Sequence, residues 1–338
     1  MPINRRFTLV RRPDGMPVAN DFRLVAEPTP ALEEGQFLLR NHYASLDPAI
    51  RGWMDDAPSY LPPIRLGDPV RATTVGVVAE SRSDAFPVGS WASGLNAIED
   101  YSLGAAGGFT SPVDPDAVSS VTHYLSAVGA IGLTAYFALL EVGRPAAGET
   151  VLVSGAAGAV GSLVGQIAKL RGCRTVGIAG GPEKCARLIR NYGYDAAIDY
   201  RGKSPDALDA AIRAAAPGGV DIQFENVGGA ILDAGLLSLN PKGRVVLCGL
   251  ISQYNSDPIP LSNIWRLIVQ GARMEGFILT QFIPRFGEAI PELAAWVKDG
   301  TLRVDEHVDT GIDNALPAFL RLFEGSNEGK MILKIAED

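Results

Sequence analysis

The run Ser154-Gly155-Ala156-Ala157-Gly158-Ala159-Val160-Gly161 constrains this chain more than any other feature. It follows a short apolar stretch, Val151-Leu152-Val153. It precedes Val160, Leu163, Val164, Ile167 and Ala168, which recur at helical spacing until Gly172. A strand, a turn of small residues and a helix in that order let the backbone approach a pyrophosphate closely. The helix N-terminus then offers unpaired N–H groups and a partial positive charge. A bare glycine triplet is a weak signal, but here the strand and helix that the motif requires are both present. A tight packing turn without a ligand is the other reading of the same residues.

The texture around this loop extends the argument. Strand-like runs at Thr175–Ala179, Ala196–Ile198, Asp221–Glu225 and Arg244–Cys248 alternate with helical stretches. Pro182 opens one helix, with Cys185, Leu188, Ile189 and Tyr192 on one face, and Gly193 closes it. Ser204-Pro205 caps the next, and Pro217-Gly218-Gly219 stops it. A further helix is expected over Ala230–Leu239, then a turn over Asn240–Gly243. Such alternation predicts an α/β fold with parallel strands covered on both faces. Residues 1–126 read differently. They are rich in proline turns and short runs such as Gln36–Arg40 and Thr74–Ala79, which predicts a mostly β domain. Met331–Ile335 is a terminal strand expected to rejoin that domain.

Composition removes several function classes. Thirty basic residues against thirty-eight acidic ones leave a charge of −8, with no basic cluster for nucleic acid. Arg5 and Arg6 are not followed by a long apolar run, so no secretory signal is expected. The uncharged run Val118–Leu140 is too polar and glycine-broken for a membrane span. It reads instead as a loop feeding a core helix, with Leu133, Phe137 and Leu140 on one face. Val151–Ala168 is strand, turn and helix. All three cysteines (Cys173, Cys185, Cys248) lie in the second half, which points to a reducing, cytoplasmic setting. His42, His123 and His307 are isolated, so no metal site is expected. Without a metal or a nucleophile motif, a cofactor would carry the hard step.

The second strand of the glycine-loop unit indicates which dinucleotide. In an NAD site an acidic residue about 20 residues on binds the ribose hydroxyls. Here the strand ends Ile178-Ala179-Gly180-Gly181 with no acid, and Lys184 follows. A lysine in a helix's first turn opposes the helix dipole. It reads either as a solvated side chain or as an attractor of a 2′-phosphate, and its placement favours the latter and hence NADPH. Glu183 is expected to point away. Asn226 ends a strand, where ligands gather, and reads equally as a turn residue before Gly228-Gly229.

These residues resemble the medium-chain dehydrogenase/reductase superfamily, in its zinc-free branch of NADPH-dependent alkenal and enone reductases. That branch holds the prostaglandin reductases, leukotriene hydroxydehydrogenases and bacterial curcumin reductases. The likeness runs through Ser45-Leu46-Asp47-Pro48 with Arg51-Gly52, Gly132–Phe137, the glycine loop with Gly165–Lys169, Glu225–Gly229, Cys248–Asn255 and Asn327–Lys330. It implies a GroES-like catalytic domain over 1–126, a Rossmann NADPH-binding domain over 127–304, and a return of 305–338 to the first. It implies that Gly158, Ala159, Val160 and Gly161 hold the pyrophosphate, and that Lys184 and Tyr200 bind the adenosine 2′-phosphate side. Asn226, Cys248, Gly249, Leu250, Ile251, Ser252, Tyr254, Phe277, Ile278, Leu279 and Asn327 would line the rest of the groove.

The implied reaction is hydride transfer to the β-carbon of an α,β-unsaturated carbonyl. Tyr254 is the first candidate to stabilise the oxyanion and Tyr60 the second; either can also be a half-buried packing residue. Ala49 departs from a tyrosine common in relatives, leaving pocket size open. A quinone oxidoreductase and a non-catalytic NADPH-binding protein remain alternatives. The segment Arg273–Leu279 resembles the edge strand through which relatives form a homodimer. A first half without cysteine lacks the thiolate that typically holds catalytic zinc in the alcohol dehydrogenases of this superfamily.

Overall fold

Short apolar runs broken by proline and glycine turns make strands in the first part of the chain. The computed structural model describes residues 1–336. It begins with β1 (Ile3–Leu9), β2 (Phe22–Pro28), β3 (Gln36–Ser45), α1 (Ala49–Trp53), β4 (Arg71–Ser81), β5 (Trp91–Ala97), β6 (Tyr101–Ala105) and β7 (Thr110–Pro112). β1 and β2 form an antiparallel ribbon. β3 pairs antiparallel with β4 along most of its length and with β6 over Gln36–Arg40.

Beyond Ala127 the period changes from strand to helix. α2 (Ala130–Phe137) leads through a single wide turn, Ala138–Gly143, into β8 (Thr150–Val153). There follow α3 (Ala159–Leu170), β9 (Arg174–Ala179), α4 (Pro182–Tyr192), β10 (Ala196–Asp199), α5 (Pro205–Ala215) and β11 (Val220–Glu225). Then come α6 (Gly229–Leu237), β12 (Leu239–Leu247), α7 (Arg266–Gln270), β13 (Arg273–Gly276) and α8 (Phe286–Lys298). The six strands are parallel, in the order β10-β9-β8-β11-β12-β13. Their apolar side chains, including Leu152, Val176, Ile222 and Val245, are buried against the flanking helices, as a doubly wound Rossmann sheet requires.

The chain then makes β14 (Glu306–Thr310), α9 (Ala315–Glu324) and β15 (Lys330–Lys334). β15 lies parallel to β14 and antiparallel to β3 at Tyr43–Ser45. The mostly β sheet therefore has the order β14-β15-β3-β4-β5-β7, with β6 on β3. Leu9, Leu46, Ile50, Met54, Phe319, Met331 and Leu333 share one core, so both ends of the chain stabilise the same layer. Two compact units result: Met1–Ser126 with the chain from Glu306 onward, and Ala127–Asp305. Among the described residues no helix is long and apolar enough to cross a membrane.

Three local readings need correction. The wide turn after α2 bonds Arg144 N–H to the Leu139 carbonyl, five residues back. That extra residue rotates the face, so Leu139 is fully buried and Leu140 only half so. On α4, Leu188 and Tyr192 are buried but Ile189 is 44% exposed, so the apolar stripe is one residue wide. The turn expected over Asn240–Gly243 is absorbed into β12 as an irregularity. Pairing jumps from Val220–Leu239 to Ile222–Arg244, and Lys242 takes a left-handed φ of 62°.

Candidate active site

The parallel sheet reverses its order between β8 and β11, the place where α/β folds gather ligands beyond the strands' carboxyl ends. The residues expected there from this unit follow strand ends or open the next helix. The glycine loop follows β8, Lys184 lies in the first turn of α4 after β9, and Tyr200 follows β10. Asn226 follows β11, Cys248–Tyr254 follow β12, and Phe277–Leu279 follow β13.

The glycine loop is built for close approach. Gly155 adopts φ +57°, and the N-cap of α3 is Gly158, which brings no side chain to the first turn. A methyl group on Gly161 would lie 2.4 Å from the Gly155 carbonyl oxygen and 2.7 Å from Ala156 Cα. The turn therefore packs backbone on backbone, leaving a bare cradle at the start of α3 over Gly158–Gly161. Such a cradle suits a pyrophosphate, whose charge the α3 N-terminus attracts.

A buried polar hub fastens this loop to its neighbours. Glu225, the last residue of β11, is fully buried. It accepts hydrogen bonds from Ser154 Oγ (2.6 Å), the Val227 and Gly228 N–H groups (2.8 Å each) and Gln223 Nε2 (2.9 Å). Burial pushes its carboxyl above the usual range against the pull of those donors. Asn226 donates its side-chain amide to the Ser154 carbonyl at 2.7 Å, so it bridges the two loops of the reversal point.

The loop after β12 docks on the same hub. Cys248 and Gly249 donate N–H to the Glu225 carbonyl, Ile251 to that of Asn226 and Ser252 to that of Val227. Tyr254 folds back, and its hydroxyl accepts the Leu250 N–H at 3.2 Å. That bond does not use the phenolic proton, and burial raises the pKa of a group that is neutral near pH 7 in any case. Burial, followed by the Glu225 charge, pushes the Cys248 thiol up to about 12.

At the other strand ends, Lys184 is half-buried, Tyr200 is 40% exposed and Ile278 is 38% exposed. Glu183 reaches along α4 to Arg190 at 3.3 Å. In the mostly β unit, Asn327 is buried and donates to the Gly329 carbonyl. Tyr60 is 51% exposed and stands edge-on to Trp53. Ala49 packs against the core of that unit. There Lys330 is also buried, donating to the Leu46 and Met331 carbonyls and paired with Asp47 at 3.1 Å. Among the described residues no three His, Cys, Asp or Glu side chains gather to hold a metal ion.

Sequence reasoning singled out the loops but missed Glu225 as their hub. The signal was present as an acid closing an apolar strand directly before Asn226. Its partner Ser154, 71 residues away, cannot be read locally.

Comparison with known proteins places these loops in a lineage. Residues 5–111 match the family profile described as the N-terminal domain of oxidoreductase, and residues 159–296 match the zinc-binding dehydrogenase profile. The chain is 38% identical over 343 residues to the NADPH-dependent curcumin reductase of Escherichia coli strain K12, covering 99% of this chain and 98% of that protein. It is 38% identical over 335 residues to prostaglandin reductase 1 of Mus musculus, covering 98% of each. The crystal structure of CurA in complex with NADPH from Vibrio vulnificus superposes with a TM-score of 0.91 at 38% identity, over 99% of this chain and 100% of that one. With likeness of this extent, and with the glycine cradle at the reversal point of its parallel sheet, the chain belongs to the medium-chain dehydrogenase/reductase superfamily, in the branch of the curcumin and prostaglandin reductases.

Proposed function

We propose that this chain reduces the C=C bond of α,β-unsaturated ketones and aldehydes with NADPH, adding hydride at the β-carbon and a proton at the α-carbon. The observation that carries the reading is full-length similarity to reductases named for curcumin and prostaglandin. The parallel-sheet unit, proposed as 127–304, binds the cofactor. Residues 1–126 and 305–338 handle the substrate.

When bound, the reduced nicotinamide supplies the hydride. The backbone of Gly158, Ala159, Val160 and Gly161 holds the pyrophosphate. Lys184 and Tyr200 take the 2′-phosphate side. Asn226, Cys248–Tyr254 and Phe277–Leu279 line the remaining groove, and Asn327 is a further candidate cofactor contact. Tyr254 donates a hydrogen bond to the carbonyl oxygen as it becomes an enolate, the role a preorganised donor fills best. Tyr60 is the second donor candidate.

NADPH consumption over a panel of enals, enones, quinones and alcohols tests the reading. Turnover of enones is expected. Tyr254→Phe should lower kcat by about 10²–10³-fold, the usual cost of one oxyanion donor. Full activity in both Tyr254→Phe and Tyr60→Phe would discard the tyrosine donors. Turnover of quinones alone, or of nothing, would discard enone reduction. The chain is also proposed to act as a homodimer, paired through the β13 edge of its parallel sheet.

A further inference from the structure

The corner between β9 and β10 holds more positive charge than Lys184 accounts for. β9 turns through Gly180-Gly181 into α4, and the neighbouring β10 ends at Asp199. The Asp199 carboxylate accepts the Gly181 N–H at 2.7 Å and the Arg201 N–H at 3.0 Å. These bonds clamp the two turns together and engage the Asp199 carboxylate with backbone donors. They hold its carboxyl below the ordinary range, the Gly181 N–H being the larger cause.

The Arg201 side chain then lies over the glycine turn. A methyl group on Gly180 would stand 3.0 Å from Arg201 Nε, and 3.2 Å from both Cε1 and the hydroxyl of Tyr200. One on Gly181 would stand 3.4 Å from Arg201 Nη1. A guanidinium and a phenol thus converge above a turn that presents no side chain of its own. Lys203 adds charge that Asp199 feels, while Glu183 is 78% exposed and engaged with Arg190.

We propose that Arg201 is a specificity-determining residue for NADPH over NADH, receiving the 2′-phosphate alongside Lys184 and Tyr200. A planar guanidinium grips two phosphate oxygens at once, whereas an ammonium acts as a point charge. A ribose 2′-hydroxyl offers that fork no anion, so NADH gains little from it. The bare turn at Gly180-Gly181 leaves the space that the guanidinium needs. The inference rests on the NADPH reading above, and the test separates the two.

Calorimetric titration of the full chain with adenosine 2′,5′-bisphosphate and with 5′-AMP isolates the 2′-phosphate and needs no turnover. The wild type should prefer the bisphosphate. Arg201→Ala should lower affinity for it by about ten- to a hundred-fold, the loss of a hydrogen-bonded charge pair. Affinity for 5′-AMP should stay nearly unchanged, Arg201→Lys should recover part of the loss, and Lys184→Ala serves as a comparison. A wild type without preference would overturn the NADPH reading itself. A wild type with preference that Arg201→Ala retains would overturn the role of Arg201 alone. Equal losses for both ligands would also overturn that role.

Discussion

Glu225 shows how one side chain can set a whole loop cluster. It has no exposed surface, yet it accepts from Ser154, Gln223 and two backbone N–H groups, tying the glycine loop to the turn after β11. Burial raises its pKa, so the folded chain holds this proton more tightly than the unfolded chain does. The resulting stabilisation is complete below the unfolded value near ~4.3 and is lost as pH rises through the folded value. Glu225→Gln keeps the shape and removes the titration. The stability of wild type minus variant, from urea unfolding, should therefore fall as pH rises above ~4.3 and through the folded value. The drop should be roughly 1.4 kcal/mol for each unit by which the pKa is raised. A flat difference would mean that Glu225 titrates alike in both states. At this scale what is local could be read in the sequence, such as the small-residue turn before α3 and the lysine in the first turn of α4. The sequence hid Glu225 and Arg201, whose meaning lies in partners brought together only by strand order.

The packing of α3 depends on glycine for closeness. A methyl on Gly165 would come within 2.1 Å of Tyr194 Cζ, and the Tyr194 hydroxyl donates to the Gly161 carbonyl at 2.7 Å. The hydroxyl end of the ring occupies the space a side chain would fill, and it fastens the first turn of α3, where the cradle begins. Gly165→Ala should destabilise the chain by about 1–3 kcal/mol, the usual cost of overpacking. In a Tyr194→Ala background the same change should cost much less, because contacting residues couple. Chemical denaturation of the four proteins measures this; strict additivity would separate the two residues. Elements with clear punctuation were legible from the sequence, as Pro182 and Gly193 on α4 show. The wide turn after α2 was not, because one extra residue shifts the helical phase without any residue that marks it. Nor was the irregularity in β12, where tertiary pairing holds Asn240–Gly243 within a strand that local turn propensity would have ended.

At the scale of the molecule, β13 ends the parallel sheet, and among the described residues no further strand pairs with its outer edge. Beside it in sequence, α7 and the residues before it carry a concentration of exposed apolar side chains. Ile268 is 85% exposed, Val269 62%, Ile264 50% and Trp265 47%. In sequence such a run is indistinguishable from a core helix, and the resemblance to an interface segment covers only Arg273–Leu279. Monomeric surfaces seldom tolerate apolar groups so gathered. A second copy of the chain is the proposed cover, because a two-fold axis brings the same edge and the same patch to face themselves. The wild type should then sediment at twice the chain mass. Ile268→Glu should shift it toward the monomer by burying an unpaired charge in each half of the interface. The parallel-sheet unit in that monomer should still bind adenosine 2′,5′-bisphosphate, since its cradle is made by strand ends of one chain. A wild type that sediments as a monomer would remove the dimer. A variant that dimerises as well as the wild type would move the interface off α7.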